Sequence, residues 1–211
     1  SLAAYAVTRD VYGNFVANVA ATWSLLDLTG DLVAGDLVPA ADNKSAVFTG
    51  HLAGTGVIDA VSGVFTDSTG AITVVAGIVS RLSIETAPDG SGTEVGAQEL
   101  TVGSNLTLYA IARDAGGNFV ANVAAIWSVV SETDGVADAD LVAAIDGKSA
   151  VFTGNLIGTG VIRATSGWLG DSTGTISVIP GLHLVVTVAT DPLTAGTPSD
   201  VTVSVYDSDD V

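Results

Sequence analysis

The sequence contains the same stretch twice. Residues 5–25 read YAVTRDVYGNFVANVAATWSL and residues 109–129 read YAIARDAGGNFVANVAAIWSV, 104 positions later. A second block, VFTGHLAGTGVIDAVSG from Val47, returns as VFTGNLIGTGVIRATSG from Val151 at the same spacing. Because the spacing holds across both blocks, the chain is built from tandem units of 104 residues.

The length of the period constrains the fold. Solenoid and propeller repeats are about 20–50 residues long, whereas one immunoglobulin-type sandwich takes about 100. A unit of that size is long enough to bury its own core. We therefore expect each repeat to be a separate domain. Near-identical tandem copies are more typical of proteins that provide length, stiffness or many weak contacts than of enzymes.

The residue pattern predicts an all-β protein. Val, Thr, Ile and Ala alternate in short runs that Gly, Asn and Asp interrupt, and no run shows helical spacing with caps. In the complete copy we expect a first strand at Arg81–Ala87, a strand with Leu106, Leu108, Ala110 and Ala112 on one face, and a tryptophan strand at Val123–Val130. Three shorter strands separated by glycines follow, which is enough for a Greek-key sandwich.

Composition narrows the class of partner. Asp and Glu outnumber Lys and Arg by 23 to 6, giving a net charge of −17. This balance argues against nucleic acid and against an anionic membrane surface, but is compatible with divalent cations. There is no cysteine, hence no disulfide or thiol chemistry. The charge-free run at 172–190 is interrupted by Pro180 and Gly181, so we expect no membrane insertion in this segment.

The motifs of the repeat resemble a known family. A strand ending in D-x-x-G-N, a tryptophan strand (ANVAAIWSV), then SAVFTG, G-x-G-x-I-x-A and a closing S-x-G-x-I-x-V strand are similar to the bacterial Ig-like repeats of the invasin and intimin type. The resemblance covers Ile78–Gly181, and residues 1–77 apart from a first strand. It implies tandem immunoglobulin-like Greek-key β-sandwich domains in a secreted adhesin, surface filament or stalk, outside the cell or on its surface.

The predicted domains are 1–77, an Ig-like domain without its own first strand; 78–181, a complete Ig-like domain; and 182–211, which opens with two further strands. Two explanations of this last segment stay open. It is either the start of another repeat in a longer array, or a donor whose first strand, Leu182–Thr190, completes the first domain of the next molecule. The donor residues would be Leu182, Leu184, Val186 and Val188.

Several residues are candidates for binding. Asp134, Asp138 and Asp140 lie in the acidic segment after the second tryptophan and could contribute to a calcium site, although a solvated loop is the simpler interpretation. Trp168 stands where the first copy has Val64 and could stack on a sugar, contact a neighbouring domain, or be a partly exposed side chain with no binding role. The D-x-x-G-N turns at Asp10 and Asp114 are predicted to be structural, because Asp and Asn bond their own backbone in turns.

No catalytic site is expected. The two histidines, His51 and His183, do not recur between copies, and no Ser-His-Asp arrangement is indicated. The leading hypothesis is a non-enzymatic extracellular segment of a surface fibre, sheath or adhesin stalk, with copies of itself or further repeats as partners and no cofactor other than a possible calcium ion. The alternative is an adhesive module that recognises a receptor or glycan through its end loops.

Overall fold

The computed structural model describes residues 1–189 and 194–207, apart from the side chains of His183 and Asp207. The described chain is almost entirely β-structure and divides into two compact units. The first unit comprises Ser1–Val79 together with Arg113–Val120, and the second comprises the rest. No helix in the described residues is long and apolar enough to span a membrane.

The first repeat contains nine strands and one short 3₁₀ turn, Ala34–Asp36. The strands are β1 (Leu2–Tyr5), β2 (Val7–Arg9), β3 (Phe15–Asn18), β4 (Thr22–Gly30), β5 (Leu37–Pro39), β6 (Ser45–Phe48), β7 (Gly54–Ser62), β8 (Phe65–Ser68) and β9 (Ile72–Val74). Two sheets, β1-β6-β5 and β4-β7-β8 with β9 on β7, supply the side chains of one core. Its buried members are Leu25, Leu32, Leu37, Ala46, Phe48 and Ile58.

The second repeat has ten strands: two precede the counterparts of the first repeat, and a single strand spans the positions of both β1 and β2. These are β10 (Val79–Glu85), β11 (Gln98–Thr101), β12 (Asn105–Asp114), β13 (Phe119–Asn122), β14 (Ile126–Asp134), β15 (Leu141–Ala143), β16 (Ser149–Thr153), β17 (Gly158–Ser166), β18 (Leu169–Ser172) and β19 (Ile176–Ile179), with a 3₁₀ turn at Asp138–Asp140. Its sheets are β10-β12-β16-β15 and β11-β19-β17-β14. The fold is therefore the expected immunoglobulin-like β-sandwich, in tandem.

The predicted strand limits differ from the observed ones. The first strand, expected at Arg81–Ala87, is β10 and lies two residues earlier, at Val79–Glu85. The tryptophan strand, expected at 123–130, is β14; it begins at Ile126 and continues to Asp134, because a bulge between Val130 and Thr133 and left-handed residues at Ser131 and Asp134 carry it onward. The stretch before Leu106 is a separate strand, β11, which pairs in parallel with β19 in the opposite sheet. Alternation of residue type does not reveal such a change of sheet.

The remaining strands are β20 (Leu182–Val188) and β21 (Val201–Asp207), which form a two-stranded antiparallel sheet of their own. Thr190, the expected end of β20, lies outside the described residues. The predicted domain limits 1–77, 78–181 and 182–211 stay a prediction.

Candidate functional site

The first repeat has an open groove beside β1. Strand β1 pairs with β6 on one side and is the terminal strand of its sheet. Next to it lies a cavity of about 260 Å³. Its apolar lining includes Ala4, Ala6, Trp23, Ile58, Ala60 and Phe65. We call this cavity the β1 groove.

The second repeat shows what occupies the same place. The residues 104 positions after these six are Leu108, Ala110, Trp127, Ile162, Ala164 and Leu169, and each belongs to or packs against the core that contains Leu82 and Ile84 of β10. Leu82 and Ile84 are 5% and 0% exposed. Strand β10 is also hydrogen-bonded to β12, the counterpart of β1. The β1 groove therefore has the position that a β10-like strand fills.

Burial of the lining differs accordingly. Leu108, Ala110 and Ala164 are fully buried, whereas Ala4, Ala6 and Ala60 are only half-buried. A second cavity of about 320 Å³ lies beside β9, lined in part by Leu2, Phe48, Ile72 and Val74. In the second repeat the corresponding core residues are covered in part by Leu100 and Val102, at and just after β11.

The four predicted donor residues lie together on one face of β20. Leu182, Leu184, Val186 and Val188 are 76%, 67%, 62% and 51% exposed. The last three pair with Val205, Val203 and Val201 of β21, which are also exposed. An isolated two-stranded sheet with a bare apolar face is marginally stable in water. This apolar face is available for another partner.

Trp168 is exposed in a hairpin turn. It lies between β17 and β18 beside Gly167, whose φ of 60° is left-handed, and its side chain is 82% exposed. Val64, its counterpart, is 92% exposed. The position is therefore a solvent-facing loop tip in both repeats, and its use as a sugar or protein contact stays a prediction.

The three aspartates of the acidic segment are not brought together as a metal site. Among residues 1–189 and 194–207, no group of three or more His, Asp or Glu could hold a metal ion. Asp138 accepts the Val129 N–H at 2.8 Å, and Asp140 accepts the Ala137 N–H at 2.9 Å. Asp134 is exposed at the end of β14. Asp138 and Asp140 therefore bond the backbone of their own segment, and calcium binding stays a prediction.

His51 and Asn155 have the same structural role. His51 Nδ1 contacts Asp36 Oδ1 at 2.7 Å, and Asn155 Nδ2 donates to Asp140 Oδ1 at 2.7 Å. The bond with His51 lowers the pKa of Asp36, with a further contribution from the Val33 N–H. The alignment of His51 with Asn155 was visible in the sequence, but the aspartates that they bond were not.

The two core tryptophans are anchored alike. Trp23 Nε1 donates to the Asn43 carbonyl at 2.9 Å and Trp127 Nε1 to the Gly147 carbonyl at 2.8 Å. Both rings pack on the core of their unit. The indole N–H is a donor that needs a partner when it is buried, and a β-turn carbonyl supplies it.

The D-x-x-G-N turns behave as predicted at the level of the turn. Asp10 Oδ1 accepts the N–H groups of Tyr12 and Asn14, and Asn14 Nδ2 donates to Asp10 Oδ2. The Asn14 side chain is the main cause of a lowered pKa at Asp10. Asp114 holds Gly116 and Asn118 in the same way.

The second turn has contacts that the sequence did not indicate. It belongs to the first compact unit, in which Asp114 Oδ2 accepts the Gly77 N–H at 2.6 Å and Asn118 Oδ1 accepts the Ala53 N–H at 2.7 Å. The Gly77 N–H, followed by the Asn118 amide, lowers the pKa of Asp114 from 3.8 to about 2. Asp114 and Asn118 are buried, whereas Asp10 and Asn14 are exposed.

No protein-family model and no curated protein sequence matches the chain. Among solved structures it is similar to domains 4 and 5 of the S-layer protein SbsC, at 17% identity and a TM-score of 0.34, over 82% of this chain and 79% of that one. It is also similar to SbsC domains 4–9, at 16% identity and a TM-score of 0.35, over 95% of this chain and 30% of that one. The Escherichia coli adhesin FdeC matches at 18% identity and a TM-score of 0.34, over 94% of this chain and 66% of that one. Because these sequence identities and TM-scores are low, the S-layer and adhesin roles are those of SbsC and FdeC and are not transferred to this chain.

Proposed function

We propose that this chain is a non-enzymatic structural segment of an extracellular fibre, sheath or adhesin stalk, assembled by strand donation. The observation that carries the proposal is the β1 groove, which lies where β10 fills the second repeat. The proposed donor is β20 of another copy. It would pair with the open edge of β1 in place of its own partner β21.

Strand β20 matches the residues that the groove requires. Val186 and Val188 lie 104 positions after Leu82 and Ile84, so the repeat itself places apolar side chains where the core needs them. Full burial of an exposed valine contributes about 1.5–3 kcal/mol, and Val186 and Val188 are 62% and 51% exposed, so burying what remains exposed would contribute about 2–3 kcal/mol in total. Val185 stands where the second repeat has the exposed Arg81, and therefore faces outward in this register.

Donation from one end of the molecule to the other is a head-to-tail contact. Such a contact uses two different surfaces of each subunit and generates a ring or an open filament. The strong negative charge and the absence of cysteine do not oppose a fibre outside the cell. In such an assembly, each added molecule lengthens the fibre by the same pair of repeats.

Light scattering behind size exclusion over a range of concentrations tests the proposal. The full chain is expected to form assemblies that grow with concentration. Val186→Asp is expected to abolish them, because it places a charge in the apolar groove. The matched control is Val185→Asp, which adds the same charge to the outward face and is expected to assemble. A full chain that stays monomeric, with β20 acting only as the start of a further repeat, would refute strand donation.

The exposed Trp168 favours a second candidate, an adhesive module that binds glycans or a receptor through its end loops. A bare indole at a loop tip is suited to stacking on the apolar face of a sugar. Glycan-array binding that is lost in Trp168→Ala supports this function. An array without binding at any protein concentration used would count against it.

A further inference from the structure

An exposed surface of the first repeat surrounds the turn at Asp10–Asn14. Val11, Tyr12 and Phe15 are 93%, 87% and 61% exposed there. Asn14 Oδ1 has no hydrogen-bond donor within the described part of the chain. We call Asp10, Val11, Tyr12, Asn14 and Phe15 the N-terminal turn surface.

The second copy of the turn shows which groups this surface can bind. In the first compact unit, Asn118 Oδ1 holds the Ala53 N–H and Asp114 Oδ2 holds the Gly77 N–H. Phe119, the counterpart of Phe15, is half-buried. The same turn sequence is therefore able to bind two backbone N–H groups from the end of a repeat.

The counterparts of these donors are present at the end of the second repeat. Ile157 and Gly181 lie 104 positions after Ala53 and Gly77. Neither backbone N–H has a hydrogen-bond acceptor among residues 1–189 and 194–207. Gly181 directly precedes β20, as Gly77 stands just before β10.

We infer that the N-terminal turn surface docks on the end of the second repeat of another copy of this chain. Asn14 Oδ1 accepts the Ile157 N–H, and Asp10 Oδ2 accepts the Gly181 N–H of that copy. The inference rests on the proposed strand donation, because a strand β20 that enters the β1 groove brings Gly181 to this turn. It adds to donation a polar contact that fixes the orientation of successive subunits.

One sequence difference bears on the fit. The second turn has Gly116 where the first has Tyr12, and a Cβ at Gly116 would lie 3.1 Å from the His51 carbonyl oxygen. This is a tight contact, so docking of Tyr12 requires the facing loop at Asn155 to shift by a few tenths of an ångström. Tyr12→Gly removes the conflict and is expected to leave association unchanged or strengthen it.

The test compares Asn14→Ala with Asn118→Ala in the full chain, by sedimentation velocity and thermal unfolding. Asn14→Ala is expected to weaken self-association about fivefold, the loss of one hydrogen bond. The melting temperature of the dilute monomer should fall less than in Asn118→Ala, because among the described residues the only intrachain side-chain bond that is lost with Asn14 is the exposed one to Asp10 Oδ2. Asn118→Ala is expected to do the reverse, since its bond to Ala53 lies within one chain. Circular dichroism establishes that both variants are folded.

The outcomes separate this inference from strand donation. Wild-type association that Val186→Asp abolishes but Asn14→Ala leaves unchanged would overturn the docking contact and retain donation. A wild-type chain that does not associate would overturn both. Weaker association of Asn14→Ala, with the tail intact, supports the contact.

Discussion

Replacing Ile84 by alanine should leave a cavity in the core of the second repeat and lower the free energy of unfolding of that repeat. Ile84 is 0% exposed and packs in the cluster with Leu82 and Phe152. Removing a buried isoleucine side chain to alanine costs about 2–5 kcal/mol, from lost burial and the cavity left behind. The second repeat should lose this amount, whereas the first, which has no β10 counterpart in its core, should not.

Amide hydrogen exchange can measure the effect on matched reporters. The Ile162 N–H donates to Thr173 Oγ1 at 3.0 Å, and the Ile58 N–H donates to Thr69 Oγ1 at the same distance. In Ile84→Ala, measured in dilute monomer, the protection of Ile162 should fall by about 30-fold or more, since about 1.4 kcal/mol corresponds to a factor of ten. Protection of Ile58 should stay as it is.

The control for this experiment is Val188→Ala, at the position that corresponds to Ile84. Val188 is 51% exposed, so neither reporter should change in the monomer. If Ile162 kept its protection in Ile84→Ala, or if both reporters lost it equally, β10 would not be the strand that fills this core. The interpretation of the β1 groove would then be wrong.

Three further predictions concern the turns. Asn118→Ala should destabilise the first compact unit by about 1–2 kcal/mol, because it leaves the half-buried Ala53 N–H without its acceptor; denaturant unfolding measures this. The pKa of Asp114 is lowered from 3.8 to about 2 in the folded chain, so the ionised carboxylate stabilises the fold. This stabilisation is complete above pH 3.8 and is lost as the pH falls towards 2. The melting temperature of the wild type should therefore fall more steeply over this range than that of an Asp114→Asn variant. Asn43 has a φ of 57° where the second repeat has Gly147 at 69°, so Asn43→Gly should change the unfolding free energy by less than about 1 kcal/mol, whereas Asn43→Val should cost about 1–2 kcal/mol or more.

The repeat predicted much of this architecture, and the physical reasons are local. Alternation identified the strands around Leu108 and Ile162, and the glycines and aspartates identified the turns. The pattern could not show that β11 joins the opposite sheet, because a strand carries no mark of its partner. Nor could it show that β14 continues through Ser131, where the chain takes a left-handed conformation that is uncommon outside glycine.

The candidate sites were predictable to different degrees. The donor residues Leu184 and Val186 followed from the alternation in the tail, and the structure places them on one exposed face. The contacts of Asp114 and Asn118 with Gly77 and Ala53 were not predictable, because a turn that bonds itself and a turn that also binds other backbone groups have the same residues. The second role is revealed only by the structure, through these two hydrogen bonds and the burial of the second copy.

The most direct test of strand donation is complementation between two assembly-defective variants. Val186→Asp disables the donor strand and keeps the β1 groove; Ala60→Phe fills the groove and keeps the donor. We predict that each variant alone is monomeric and that an equimolar mixture forms a one-to-one heterodimer by light scattering. A mixture that contains only monomers, or an Ala60→Phe variant that assembles like wild type, would contradict the account.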